Sequence, residues 1–116
     1  MIQIEYNVNE LKWKNSFPEY KNYISKSVNE TLKIINRSLP SNATVSFFLT
    51  SNKNIKELNR KFRKRNKVTN VLSFPMQSYY ENSYFLGDIA LSGQTLLQEA
   101  NEQKIYKYDY LCKMTI

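Results

Sequence analysis

The sequence contains no histidine, and among its 116 residues there are one cysteine, two glycines and three prolines. Each shortage excludes something. Without histidine, neither a His general base nor a His-ligated metal can be completed from these residues. The lone Cys112 forbids an intramolecular disulfide and fits a reducing compartment. No Ser/His/Asp or Cys/His set exists, and the scarcity of glycine leaves no Gly-rich phosphate loop. Apolar stretches such as Val45 to Leu49 are strand-sized, far short of the roughly 18 residues that cross a bilayer. Met1 to Tyr6 has neither a basic n-region nor an apolar h-region, and Tyr110 to Ile116 matches no lipidation or retention signal. The expectation is a cytoplasmic protein with no membrane partner.

What is present is a basic chain of single-domain size. Hydrophobic residues make up 41% and charged residues 23%, and 17 Lys and Arg face 10 acids for a net charge of +7. The pI is near 9.5. That balance favours a polyanion, because each neutralised phosphate releases counterions.

Periodicity orders the elements. Ile2, Ile4 and Tyr6 alternate with polar residues, which predicts a strand with one buried face. Ser16 and Glu19 have capping-box spacing around Pro18, so a helix bearing Tyr20, Ile24, Val28, Leu32 and Ile35 is expected to run to about Arg37. Turn chemistry follows at Leu39 to Asn42. Thr44 to Thr50 is β-branched and aromatic and reads as a central strand. Ser51 or Asn52 can cap a helix with Ile55, Leu58 and Phe62 on one stripe. Val68 to Phe74 reads as a third strand stopped by Pro75, Met76 to Tyr84 as a loop, and Tyr84 to Leu91 as a fourth strand interrupted at Gly87 and Asp88. A helix from Gly93 to Lys104 should bury Leu96, Leu97 and Ala100. A last helix from Lys107 carries Tyr108, Leu111, Cys112 and Thr115 on one face and has no stop signal, so it reads as cut short. The fold expected is α+β: one domain over 1–116, a small mixed sheet of about four strands, in the order β-α-β-α-β-β-α-α.

Two stretches raise chemical questions. Lys61 to Lys67 holds five cations in seven residues, Lys61, Arg63, Lys64, Arg65 and Lys67. It is either a solvated helix end complementing the macrodipole or a phosphate-binding edge, with Arg63 offering the rigid donor fork a phosphodiester suits. Composition does not choose. In Thr69 to Pro75 (TNVLSFP), Val71, Leu72 and Phe74 suit a core, whereas Thr69, Asn70 and Ser73 need polar partners, either a substrate backbone or a neighbouring loop. Gly87 permits a bulge or a close backbone approach, while Asp88 either stays in solvent or fixes a neighbouring loop. Cys112 on a helix face suits a small core residue better than a nucleophile.

Leu58 to Arg63 (LNRKFR), Thr69 to Pro75 and Leu86 to Leu91 (LGDIAL) together resemble the YbeY-type endoribonucleases, the rRNA maturation factors of bacteria and organelles. That family's pattern is L-N-x-x-[YF]-R, a basic spacer, T-[DN]-V-L-S-F-P, a variable loop and L-G-D-I, and the spacings agree from about Asn52 onward. The heptapeptide at this distance from the first motif is the specific part; L-G-D-I alone would be weak. The resemblance implies a metal-dependent endoribonuclease for single-stranded rRNA, acting at the ribosome in rRNA maturation and quality control, with DNA not expected as a partner. It implies that Arg63 holds the scissile phosphate or its developing charge as a catalytic group. Thr69, Asn70, Ser73 and Phe74 would line the RNA cleft, with Lys64 and Arg65 as further substrate contacts. In the family a helix bearing H-G-x-x-H-x-x-G-x-D-H follows the segment matching Tyr110 to Ile116, and its histidines bind a metal taken as zinc. The expectation is therefore a chain incomplete before that motif, with no metal ligands and no activity of its own. The alternatives are an RNA-binding remnant without catalysis and an unstable fragment without function.

Overall fold

The structure is a computed structural model and describes residues 2–35, 43–80 and 83–115. The elements run β1 (Gln3–Val8), α1 (Lys12–Ser16), α2 (Tyr20–Ile35), β2 (Ala43–Thr50), α3 (Asn52–Arg63), β3 (Val71–Tyr80), β4 (Ser83–Ser92), α4 (Gly93–Glu102) and α5 (Lys107–Met114). The strands form one sheet in the order β1-β2-β4-β3. β1, β2 and β4 are parallel, and β3 pairs antiparallel with β4 at the edge. This is the mixed α+β domain the periodicities predict.

Side chains alternate across a strand, so each strand feeds two layers. From β2, Val45, Phe47 and Leu49 enter the main core with Leu91 of β4. They meet Trp13 and Phe17 from the α1 region, Tyr20 and Ile24 of α2, Leu96 and Ala100 of α4, and Tyr108 and Leu111 of α5. The opposite residues, Phe48 and Ala90, meet Ile55 and Leu58 of α3 with Leu72 and Phe74 of β3. Among the described residues, four helices thus cover one face and α3 alone serves the other.

Four local expectations are corrected. Ser16 does not open the long helix; it closes α1, which periodicity missed, and its carbonyl accepts from Lys107 Nζ at 2.6 Å. The α2 entry is held instead by the Tyr108 hydroxyl, which accepts from the Glu19 N–H at 2.9 Å, and by the Phe17 carbonyl, which accepts from the Tyr20 N–H at 3.1 Å. One tertiary bond and one local turn bond have replaced the side-chain cap. Pro75 does not end β3, because β3 is an edge strand and Pro75 stands opposite Gly87 where the register breaks before Ser78. For the same reason most of the expected loop from Met76 is strand, and β4 runs unbroken through Gly87 and Asp88. The expected turn at Leu39 to Asn42, the end of the long helix at Arg37, and residues 81 and 82 of the expected loop lie outside the described residues.

Gly87 is required where it is. Its φ is +142°, and a Cβ there would lie 2.5 Å from the Phe74 carbonyl oxygen. Gly93 meets a different constraint: a Cβ would lie 2.9 Å from Trp13 Cε2. Trp13 is anchored there by its indole N–H, which donates to the Thr50 carbonyl at 2.9 Å inside the core.

Candidate nucleic-acid interface

The site grows from the C-terminal end of α3. Ser51 caps that helix, its Oγ accepting from the Asn54 N–H at 3.3 Å. At the far end Lys64 adopts a left-handed conformation with φ 57° and ψ 34°. The N–H groups of Lys64 and Arg65 both turn back to the Asn59 carbonyl, the latter at 3.2 Å. Asn59 is itself buried, and its Nδ2 donates to the Lys67 carbonyl at 3.0 Å. One asparagine therefore clasps the whole basic turn. Sequence reasoning passed over it as a motif letter; its signal was a polar residue on the stripe side of an amphipathic helix.

The turn delivers Arg63 to β3. Its Nη2 donates to the Ser73 carbonyl at 2.6 Å, and its guanidinium lies 5.1 Å from the Phe74 ring centroid. Phe62 meets Phe74 edge to face, with centroids 5.6 Å apart and planes at 70°. Arg63, Ser73 and Phe74, named from sequence as one site, are thus in mutual contact. Lys64 and Arg65 are exposed beside them, and Thr69 is half-buried just ahead of β3. Asn70 points elsewhere: its Nδ2 donates to Glu99 Oε1 at 2.9 Å, and its carbonyl accepts from the Ser92 N–H at 3.0 Å. The same Glu99 oxygen accepts from the Tyr110 hydroxyl at 3.0 Å. Burial and this carboxylate push the Tyr110 hydroxyl above its ordinary pKa.

Beside Phe62 and Phe74 opens a groove of about 580 Å³, because α3 covers only part of its sheet face. Phe48, Leu58 and Ala90 supply apolar lining, while Glu5, Asn7, Ser46 and Asp88 line it towards β1 and β4. Ser46 Oγ donates to Glu5 Oε2 at 3.2 Å. None of these floor residues was singled out as a binding group from sequence, apart from the question raised over Asp88. The groove has an acidic floor, with Glu5 and Asp88 and, among the described residues, no cation in its lining, and the basic turn stands beside it where Arg63 meets Phe74. On the exposed side of α3, Arg60 is already paired with Glu57, whose carboxyl is held below its usual range by that hydrogen bond. Lys61, Arg63, Lys64, Arg65 and Lys67 follow with no acid among them.

The donor set does not fit zinc. Among the described residues no three His, Cys, Asp or Glu side chains stand close enough together to hold a metal ion. Cys112 is half-buried, and burial with the nearby Asp109 carboxylate raises its thiol pKa, which disfavours the thiolate form.

A family model described as Endoribonuclease YbeY matches residues 5–116. The chain belongs to the YbeY endoribonuclease family. The Endoribonuclease YbeY of Ehrlichia chaffeensis is 37% identical over 102 residues, covering 88% of this chain and 65% of that protein. The Endoribonuclease YbeY of a Wolbachia from Drosophila simulans is 33% identical over 115 residues, covering 97% and 74%. The solution structure of TM1509 from Thermotoga maritima superposes with a TM-score of 0.58 at 24% identity, over 96% of this chain and 64% of that one. That likeness bears on the fold alone. The chain thus spans about two thirds of the length of these YbeY relatives, and the residues of the Arg63 corner and the groove lie within the family match.

Proposed function

We propose that these residues form the RNA-gripping portion of a single-strand-specific endoribonuclease acting on ribosomal RNA, in the cytoplasm and at the ribosome, in rRNA maturation and quality control. The observation that carries the reading is the lodging of Arg63 between the Ser73 carbonyl and the ring of Phe74, which lines the groove. A guanidinium carries five N–H donors in a planar fork. The Ser73 bond holds the fork in place while further donors stay available to a phosphodiester.

Each residue then has a part. Arg63 holds the scissile phosphate and meets the charge that develops on its non-bridging oxygens, as a catalytic group. Lys64 and Arg65 take the neighbouring phosphates. Ser73 and Phe74 form the wall against which the strand lies, with Thr69 at its upstream end. Asn70 acts through Glu99 as a positioning residue for that wall, since its amide is already engaged. The acidic floor repels phosphate, so the backbone runs along the α3 rim with the bases turned inward.

Cleavage also needs an activated water. In the family that is work for a metal, taken as zinc, which lowers the pKa of its bound water and polarises the phosphoryl oxygen. The 116 residues offer no histidine and no fitting donor group among those described, so no step is assigned to a metal here. By themselves they bind RNA without cutting it.

The test is anisotropy of a labelled single-stranded RNA across a salt series. Binding that weakens steeply with salt is expected. Arg63→Ala should lower affinity about tenfold and flatten the log–log salt slope by about 1. No binding at low salt, or the same affinity and slope for Arg63→Ala, would refute the reading.

A further inference from the structure

Phe62 closes the apolar stripe of α3 yet does not serve the core. Ile55 is fully buried, whereas Phe62 is 54% exposed although it sits beside an apolar groove. Its contact with Phe74 is edge to face, so the two rings do not pack as a closed stack. Lys61 Nζ sits over one face of the Phe62 ring, 5.4 Å from its centroid, and the Arg63 guanidinium lies over Phe74 at 5.1 Å. A half-exposed aromatic with a cation before and after it in the chain is an arrangement that can receive an unpaired nucleobase. The ring takes the base face, and the flanking cations take the phosphates.

We propose that Phe62 is a base-stacking platform for single-stranded RNA, holding an unpaired base next to the phosphate that Arg63 binds. The inference rests on the RNA reading above and gives its single-strand preference a residue: a base inside a duplex keeps its faces stacked and cannot offer one to Phe62. It also accounts for the acidic floor. Glu5 and Asp88 keep phosphate off the groove, and the base entering beside Phe62 carries no charge.

The test uses a single-stranded RNA, the same strand with abasic sites, and a duplex, bound to the chain and to three variants with thermal melts as a folding control. Phe62→Ala and Phe62→Leu should each weaken single-strand binding about 5- to 100-fold, abolish the preference for the base-bearing over the abasic strand, and leave the salt slope unchanged. Phe62→Tyr should bind within about twofold of the parent. Leucine binding as well as phenylalanine would overturn the proposal in favour of plain apolar packing. So would an unchanged Phe62→Ala in a chain that still binds RNA and still depends on Arg63. Photocrosslinking of an RNA carrying 5-iodouridine to the unmutated chain is a second check that does not depend on variant folding. The peptide containing Phe62 should be labelled, and labelling confined to other peptides would overturn the proposal. A parent chain that fails to bind any RNA would instead remove the functional reading on which it stands.

Discussion

The two faces of the sheet are built from alternate residues of the same strands and have opposite characters. On β2, Phe47 and Leu49 have no exposed surface and lie under helices, while Ser46 and Phe48 between and beside them are only partly covered and line the groove. On β4, Leu91 is fully buried in the main core and Asp88, facing the other way, is exposed. Among the described residues, the packed core lies where four helices meet the sheet, and the open groove where only α3 does. A cleft costs apolar burial, and the molecule bears that cost on one side because the other is closed.

Removing the core's anchor is the strongest way to test this division. Trp13→Ala should destabilise the fold by about 3–5 kcal/mol, a large part of a typical domain's margin, since it opens a cavity and strips the Thr50 carbonyl of its partner. Urea unfolding measures it, and a loss below about 1 kcal/mol would mean that the packed face does not carry the stability. A single cooperative transition of the parent chain in the same experiment is expected and would exclude the unstable-fragment alternative.

Gly87→Ala strikes where β4 passes close to the Phe74 carbonyl of β3. The positive φ and the approach to the Phe74 carbonyl should cost roughly 1–3 kcal/mol and shift Phe74, so stability and RNA affinity fall together. A change in one without the other would separate the faces more sharply than the structure does. Asn59→Ala leaves the Lys67 carbonyl without its side-chain donor and should cost about 1–2 kcal/mol. Its larger effect should be on RNA binding, through loosening of the turn that carries Lys64 and Arg65.

Alkaline pH tests the packed face more gently. Tyr110 and Cys112 are both raised, chiefly by burial, and Tyr6 is raised by burial against its bond to Ser25. The unfolded chain sheds these protons first, from about pH 8.5 for a thiol and pH 10 for a phenol. Stability is therefore whole below that range and declines as pH climbs through it towards the raised folded values. A melting temperature that stays flat from pH 8 to 11 would contradict this.

The smallest stability effect belongs to the open face. Arg63→Ala should change unfolding free energy by no more than about 0.5 kcal/mol while impairing RNA binding, because the side chain is exposed and its partner Ser73 is also at the surface.

Much of the fold and of the Arg63 corner is legible in the sequence. The alternation at Ile4 and Tyr6, the β-branched run of β2 and the Ser51 cap are local signals, and each element lies where its signal predicts. The motifs around Arg63 and Phe74 meet in space, where Arg63 touches both Ser73 and Phe74. What fails is whatever depends on a distant partner. The Ser16 capping box has correct spacing but loses to a tyrosine 89 residues from Glu19. Pro75 reads as a strand breaker until β3 proves to be an edge. Asn70 and Asn59 look alike in a motif, yet one ties β3 to α4 and the other folds a turn upon itself.

The order of residues alone determined the chain's charge, the apolar side of each strand and helix, and the motifs of its family. All are properties of neighbours along the backbone, set by pleat, helical pitch and side-chain chemistry. Tertiary structure decided which strand lies at the edge, which helices share a face, and that α3 leaves a groove with Phe62 open beside it. Those outcomes depend on contacts between residues tens of positions apart, whose energies no local spacing contains.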